Sequence, residues 1–375
     1  MMGRSWRIGR LFGINICIDS SWVLIFFLVT WTLAAGFFPL SYPQWSMLQY
    51  WYMGIVTSLL FFGSVLIHEL SHSLVARAQG ERVQRITLHL FGGAAQIAEE
   101  PKTAASELTM SLAGPLASFA LAAIFALLRV AFRGSAEQFE GMFRYLATIN
   151  LGLAIFNLVP GFPLDGGRVL RSVVWMATND LRLATRVASW VGQTVAFLMV
   201  VSGVLLLFTG NLLNGVWIML IGWFLRNAAI SSYRQILIRD AMAEVLASQL
   251  MHRDFISVPP EMSIQKLLDD YVIAYSQHAY PVTEDSTLIG IISPLDIRKV
   301  PRDLWSVTPV QQVMTPRAEL HVVAPSDDGN TILARMAAKD VHQLPVVEGT
   351  HLVGMIARND LVRYMQWQTE LGMHA

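Results

Sequence analysis

Charge and cysteine are scarce in this chain. Of its 375 residues, 14% are charged and 54% are hydrophobic, and 27 Lys and Arg balance 27 Asp and Glu. The balanced charge argues against a nucleic-acid partner, and the single Cys17 excludes both an internal disulfide and a cysteine-based zinc site. With a mean hydropathy of +0.47, the composition predicts an integral membrane protein rather than a soluble one.

Long uncharged runs occupy the N-terminal part of the chain. A helix of about twenty apolar residues crosses the hydrocarbon core of a bilayer. By this measure six transmembrane helices are predicted, at residues 22–38, 51–76, 108–128, 146–159, 187–208 and 212–225. The fourth run is short and is followed by Pro160-Gly161-Phe162-Pro163, so its helix has to break at membrane depth.

Most positive charges near the ends of these runs fall on one side of the membrane. The positive-inside rule assigns that side to the cytoplasm, although Arg129, Arg133 and Arg144 run against it. The first run starts late and has no small-residue cleavage site after it, which favours a retained helix over a signal peptide. We therefore predict a multi-pass protein of the cell (inner) membrane with both termini in the cytoplasm.

Residues 68–72 read His-Glu-Leu-Ser-His inside the second apolar run. Imidazoles four residues apart lie on one helix face and can bind one Zn²⁺, while the intervening glutamate can take a proton from metal-bound water. A charged carboxylate at the bilayer centre costs about 2.5 to 3.5 kcal/mol, which favours a functional cluster over a solvated helix face. The motif predicts a hydrolase with one zinc per chain, His68 and His72 as ligands, and Glu69 as general base.

A catalytic zinc needs a third protein ligand and an open position for water. The extended soluble motif fails, because Val75 stands where it needs glycine and Ala78 where it needs histidine. A better candidate is Asp165, which follows the proline-broken fourth helix and precedes two glycines that let the backbone approach closely. We predict Asp165 as the third ligand.

These residues resemble the site-2 protease family of intramembrane metalloproteases over about residues 51–171. The resemblance rests on His68, Glu69 and His72 in one apolar helix, followed by Asn157 and then by Leu164-Asp165-Gly166. It implies hydrolysis of peptide bonds in single-pass membrane proteins within the lipid bilayer, with Asn157 as a second stabiliser of the oxyanion. A hydrogen bond between two helices is the alternative role for Asn157. It also implies that residues 88–93, with Gly92 and Gly93, form a hairpin whose edge pairs with a substrate strand, and an ordinary loop is the alternative.

After about residue 231 charge becomes frequent and the chain repeats itself. Tyr280-Pro281-Val282 recurs as Leu344-Pro345-Val346, and residues 288–292 recur as residues 352–356. The repeat resembles a tandem pair of cystathionine-beta-synthase (CBS) domains. The predicted architecture is a polytopic α-helical membrane protein of about six transmembrane helices followed by a soluble α/β module. Its domains are a metalloprotease domain (1–230), a linker helix (231–248) and two CBS repeats (249–303 and 304–368).

The CBS resemblance implies adenine nucleotides held by a Gly-x-x-Ser/Thr-x-x-Asp stretch. The first repeat has Ser293 and Asp296 in this pattern, whereas the second keeps Asp360 but has Ala357 at the hydroxyl position. The same aspartates would also cap the helices that follow them, so a purely structural module that forms a homodimer is the alternative.

Three other functions stay open on the sequence. A CBS-regulated channel or transporter without protease activity would also be polytopic, but would not need the zinc motif and Asp165 together. A membrane zinc enzyme that acts on lipid, and an inactive scaffold without stoichiometric zinc, complete the alternatives.

Overall fold

The computed structural model describes residues 5–81, 83–89, 92–97, 101–134, 136–272, 277–338 and 341–370. Residues 90 and 91, which belong to the predicted hairpin, lie outside this part. The chain divides into two compact units, Met1–Arg234 and Gln235–Ala375.

The first unit consists of long helices and one small sheet. Its elements are β1 (Ser5–Leu11), β2 (Ile14–Asp19), α1 (Ser20–Thr32), α2 (Phe38–Ser41), α3 (Met47–Ala78), β3 (Val83–His89), β4 (Gly92–Ile97), α4 (Ala104–Ala131), α5 (Glu137–Asn157), α6 (Asp165–Thr178), α7 (Leu181–Phe208) and α8 (Leu212–Ala243), whose residues from 235 onward belong to the second unit. A π-helical turn, Leu33–Phe37, joins α1 to α2.

The helix that carries the zinc motif is long and has a well-defined start. The Ser46 hydroxyl accepts the backbone N–H of Gln49 and the Gln49 side chain accepts the N–H of Ser46, so a capping box begins α3. From there α3 runs for 32 residues. Its contact with α1 is close, because a Cβ at Gly54 would lie 3.2 Å from the Thr30 carbonyl oxygen.

The sheet lies against α3. Its strand order is β1-β2-β3-β4, with β2 and β3 parallel and the outer pairs antiparallel, so β4 is an edge strand. Ile14, Ile16 and Ile86 are fully or almost fully buried and pack with Leu70 of α3. This apolar cluster fixes the sheet beside the zinc motif.

Within the described residues, four helical segments are long and apolar enough to cross a membrane: Ser20–Ser41, Met47–Ala78, Ala104–Ala131 and Leu181–Phe208. The polytopic helical fold is therefore confirmed, whereas the count of about six spans is not. Residues 146–157 of the predicted fourth run lie in α5, which starts earlier because Glu137 and Glu140 suit the positive end of a helix dipole. As expected, α5 ends at Asn157, before the proline-rich turn.

The second unit is an α/β module with two similar hairpins. Its main elements are α9 (Ala247–Leu250), α10 (Ile264–Leu267), β5 (Tyr280–Glu284), β6 (Thr287–Ile292), α11 (Pro294–Ile297), β7 (Thr315–Pro316), α12 (Gly329–Ala338), β8 (Gln343–Glu348), β9 (His351–Ala357) and α13 (Arg358–Glu370). A π-helical turn (Leu268–Val272) and three 3₁₀ turns (Arg302–Leu304, Val310–Gln312 and Arg317–Glu319) complete it.

The sequence repeat corresponds to this pair of hairpins. The strand order is β5-β6-β9-β8, with β7 pairing β6 from the side. Both hairpins carry a register shift at the same repeat position, Val282/Thr283 in one and Val346/Val347 in the other. The predicted α/β class of the C-terminal module is confirmed.

Candidate metal centre

The structure brings His68, His72 and Asp165 together. The two histidines face α4 from one side of α3 and are 4% and 8% exposed, while Asp165 is the first residue of α6. Oδ2 of Asp165 lies 3.1 Å from Nε2 of His68 and 3.2 Å from Nε2 of His72, and the two Nε2 atoms are 3.3 Å apart.

These distances can be tested against zinc. Tetrahedral zinc binds nitrogen and oxygen at about 2.0–2.2 Å, so its ligand atoms lie on the order of 3.3 Å from one another. The three donor atoms are separated by 3.1–3.3 Å. They therefore fit three corners of one tetrahedron, and three is the number of protein ligands in a catalytic zinc site.

The far sides of both imidazole rings are held by α4. Nδ1 of His72 lies 2.7 Å from the carbonyl oxygen of Met110, and Nδ1 of His68 lies 2.9 Å from the Ser118 hydroxyl. A carbonyl only accepts, so Nδ1 of His72 donates and its Nε2 keeps the lone pair that a metal ligand needs. The contacts fix ring orientation in the manner usual for histidines that bind metal.

Space for the two rings comes from Gly114 of α4. A Cβ at this position would lie 2.7 Å from Nε2 of His68 and closer still to the ring of His72. Gly114 and Ser118 were not predicted from the sequence. The available signal was the helical spacing of Ser111, Gly114 and Ser118 in an apolar run, which places small residues on one face.

We expect Gly114→Ala to weaken zinc binding by about 10- to 100-fold, the range found for changes next to metal ligands. The added methyl group has to push one or both imidazoles away from Asp165. Zinc per purified chain and its retention against a chelator measure the effect. Gly152→Ala is the matched control, since nothing lies within 4 Å of a Cβ there. Equal zinc retention by the two variants would contradict the role of Gly114.

Asp165 is positioned by the turn between α5 and α6. The backbone N–H of Phe162 donates to the Ala188 carbonyl of α7 at 3.2 Å, which attaches the turn to that helix. A Cβ at Gly166 or Gly167 would collide with the backbone of this same turn. The two glycines after Asp165 are thus needed for close packing, as the sequence suggested.

A buried ion pair ties α6 to α4. Arg171, 7% exposed, donates from Nε to Oε1 of the fully buried Glu107 at 2.7 Å, and its second donor contacts the same oxygen. The guanidinium also lies 5.3 Å from the ring centre of Phe162. Because α4 also holds the two imidazoles, this pair links the aspartate helix to the helix that orients the histidines.

Glu69 lies beside the edge strand. A Cβ at Gly93 of β4 would be 2.9 Å from Cδ and 3.2 Å from Oε1 of Glu69. Gly92 begins the same strand and pairs with His89. The strand therefore passes directly over the glutamate carboxylate.

Asn157 does not join the cluster of His68, His72 and Asp165. It is the last residue of α5, is half-buried, and its amide nitrogen donates to the Leu153 carbonyl one turn earlier at 3.1 Å. This bond runs along its own helix rather than towards the histidines. The role of Asn157 as an oxyanion donor stays a prediction.

The CBS aspartates both act as caps. Asp296 accepts the backbone N–H of Ser293 at 3.1 Å and its hydroxyl at 2.6 Å, while Lys299 donates to its other oxygen at 2.8 Å. In the second repeat, Asp360 accepts the N–H of Ala357 at 2.8 Å. The hydroxyl bond is thus special to the first repeat.

Comparison with known proteins supports both the metalloprotease part and the CBS part of the chain. The sequence profile of peptidase family M50 matches residues 56–141 and 133–202, and that of the CBS domain matches residues 247–303 and 310–366. A Synechocystis protein named as a zinc metalloprotease is 33% identical over 372 residues, covering 97% of this chain and 96% of its own. A zinc metalloprotease of Methanocaldococcus jannaschii is 31% identical over 313 residues, covering 83% and 85%.

Among solved structures, the site-2 protease from Methanocaldococcus jannaschii aligns with a TM-score of 0.43 at 27% identity, over 61% of this chain and 95% of that one. The full-length relatives and the two profiles define an integral membrane metalloprotease joined to a CBS module. The chain belongs to peptidase family M50, the site-2 protease family. A channel without protease activity is not supported.

Proposed function

We propose that the chain hydrolyses peptide bonds within or near transmembrane segments of membrane proteins. The observation that carries this proposal is the convergence of His68, His72 and Asp165 on one point, with Glu69 on the same helix as the histidines. The helix is long and apolar enough to span a bilayer. The substrate bond therefore has to reach a hydrolytic site in lipid surroundings.

The chemistry divides between the metal and the side chains. His68, His72 and Asp165 would hold one Zn²⁺, which when bound supplies a Lewis acid that lowers the pKa of water to about 7. Glu69 accepts the water proton as the scissile carbonyl is attacked and returns it to the leaving amine. Asn157 donates to the developing oxyanion once its amide turns away from Leu153.

Among the described strands β4 lies at the edge of the sheet, and this edge is the proposed binding site for the substrate backbone. An edge strand offers unpaired N–H and C=O groups, and an extended peptide can add to it as a further strand. Gly93 lies against Glu69, so a peptide paired next to it passes close to the proposed base. A helical substrate has to unwind locally before it can pair, which favours targets with helix-breaking residues near the cut.

Single-pass membrane proteins are the expected substrates, and cleavage near the cytoplasmic side would release a soluble fragment. We expect proteoliposomes that contain the protein to cut a model single-span substrate within its apolar segment, and to cut faster when that segment carries a helix-breaking residue. Mass spectrometry of the fragments gives the site. An unfolded soluble protein is the control substrate. Cuts confined to residues outside the apolar segment would count against an intramembrane reaction.

Strand pairing has its own signature. In a synthetic substrate, N-methylation of one backbone amide at a time removes one hydrogen-bond donor without changing the side chain. If the segment pairs with β4, inhibition should alternate with a period of two, because successive N–H groups of a strand point to opposite sides. Uniform inhibition along the segment would argue against pairing.

For the CBS module we propose adenine nucleotide binding that modulates cleavage, together with self-association through the module. Support comes from the paired repeats, in which a carboxylate and a cation lie side by side: Asp296 with Lys299, and Asp360 with Arg363 at 2.9 Å. The carboxylate suits ribose hydroxyls and the cation suits phosphate. The first repeat, which has Ser293, is the better-equipped of the two.

We expect ATP, ADP or AMP to raise the unfolding temperature of the full chain and to change its cleavage rate. Lys299→Gln should weaken this response by about fivefold, since a contact between a cation and phosphate is worth on the order of 1 kcal/mol near a surface. Lys266→Gln is the matched control, being a lysine in the same repeat without a carboxylate partner among the described residues. If none of the three nucleotides changes the unfolding temperature or the cleavage rate, nucleotide binding is contradicted. The role of Asp296 and Asp360 as helix caps would then explain both residues.

A further inference from the structure

A surface groove lies along α7 and α8. Its volume is about 270 Å³, and it is lined by Trp190, Gln193, Thr194, Phe197 and Arg226. The four α7 residues are spaced at i, i+3, i+4 and i+7, so they form one continuous stripe on that helix. Trp190 is 73% exposed and Phe197 is 62% exposed, so the stripe faces outward.

The two helices run side by side in opposite directions. The hydroxyl of Ser189 donates to the Ala229 carbonyl at 2.9 Å, and a Cβ at Gly222 would lie 2.8 Å from the Ala196 carbonyl oxygen. A three-residue turn, 209–211, connects them. Because α7 is long and apolar enough to span a membrane, α8 lies beside it at the same depth.

Arg226 lies deep for a charged residue. No charged residue occurs between Arg186 and Arg226, and Arg226 comes fourteen residues after the start of α8 at Leu212. At 1.5 Å per residue this places it about 21 Å from the turn, short of the roughly 30 Å thickness of a hydrocarbon core. Its guanidinium therefore has to reach outward to the headgroup level.

Nothing in the described part of the chain neutralises Arg226. It takes part in no hydrogen bond or ion pair with the residues that the structure describes, and the other four lining residues are uncharged. A cation at this depth favours an anionic partner. The character of the groove also changes with depth in the membrane. Trp190 suits the membrane–water interface, whereas Phe197 lies two helical turns deeper, at the level of the acyl chains.

We propose that this groove is a binding site for one anionic phospholipid. The phosphate pairs with Arg226, the polar glycerol region lies against Gln193 and Thr194, and one acyl chain follows Phe197. A zwitterionic lipid fits less well, because its own ammonium group competes with Arg226 for the phosphate. The same helix α7 holds the turn that carries Asp165, through Ala188 and Phe162, so lipid binding stabilises the helix behind the metal site.

The test compares the full-length protein in nanodiscs of phosphatidylcholine alone and of phosphatidylcholine with phosphatidylglycerol. Native mass spectrometry counts retained phosphatidylglycerol, and thermal unfolding measures stabilisation. Wild type should retain one phosphatidylglycerol and unfold at a higher temperature in the anionic discs. Arg226→Gln should lower the affinity about fivefold, the worth of one basic residue near a lipid surface.

Arg234→Gln is the matched control, because it removes the same charge from α8 two turns beyond the groove. It should keep the retained lipid and the thermal shift. If Arg226→Gln does not fold, Phe197→Ala tests the acyl-chain contact at an exposed position, and it should also lose retained lipid. Equal losses in Arg226→Gln and Arg234→Gln, or undiminished retention in Phe197→Ala, would overturn the proposal. So would an equal shift with phosphatidylcholine, or with glycerol phosphate in solution, which would indicate a simple anion site.

Discussion

Glu69→Gln should lower the rate of peptide hydrolysis by about 10²- to 10⁴-fold, the usual contribution of a general base. The amide has nearly the shape of the carboxylate, so it fits the space beside Gly93. It cannot accept a proton, and Glu69 is not among the three converging ligand residues. Zinc content and folding should therefore stay at wild-type levels while turnover falls.

The measurement is single-turnover cleavage of a single-span substrate in proteoliposomes, with zinc per chain determined on the same sample. Glu140→Gln is the matched control, because that glutamate forms a partly exposed pair with Arg129 at 3.4 Å. We expect its cleavage rate to stay within about twofold, as surface pairs contribute little. Wild-type cleavage by Glu69→Gln would exclude it as the base.

Asp165→Asn should abolish stoichiometric zinc binding together with activity. Changes outside the ligand shell already cost about 10- to 100-fold in metal affinity, so loss of a charged ligand should exceed that range. Two histidines alone leave the site one ligand short of a catalytic zinc centre. Zinc per chain after dialysis against a weak chelator gives the result directly.

Asp180→Asn provides the comparison. Asp180 precedes α7 and its carboxylate accepts the N–H of Leu183 at 3.0 Å, a capping bond that asparagine can also make. That variant should keep its zinc and its activity. Full zinc occupancy in Asp165→Asn would mean that another group completes the coordination, and the ligand set proposed above would be wrong.

Much of the site could be predicted because its signals are local. The spacing of His68 and His72 follows from the pitch of one helix, and Asp165 was marked by its place after a proline-broken helix. The contribution of α4 could not be derived in the same way. Gly114 and the Met110 carbonyl act on α3 across a helix–helix contact. Every residue type has a backbone carbonyl, so the sequence does not show which carbonyl binds a histidine.

The second unit was predictable for a different reason. An internal repeat presents the same structural elements twice, so Tyr280 and Leu344 predict two equivalent strands. In the structure Tyr280 begins β5 and Leu344 lies in β8. The membrane spans were harder, because composition gives the apolar stretch and not the helix ends. In α5 the helix extends nine residues before the predicted apolar run, to Glu137, through residues that hydropathy does not select.

The contact between His68 and Asp165 joins residues 97 positions apart in the chain. A metal shared by them therefore acts as a reversible cross-link that closes a large loop, and binding free energy becomes folding free energy. Chelation would then remove a structural cross-link as well as the catalytic metal. Loss of zinc should therefore appear as faster amide hydrogen exchange in α6 and in the turn before it. This measurement does not depend on an activity assay.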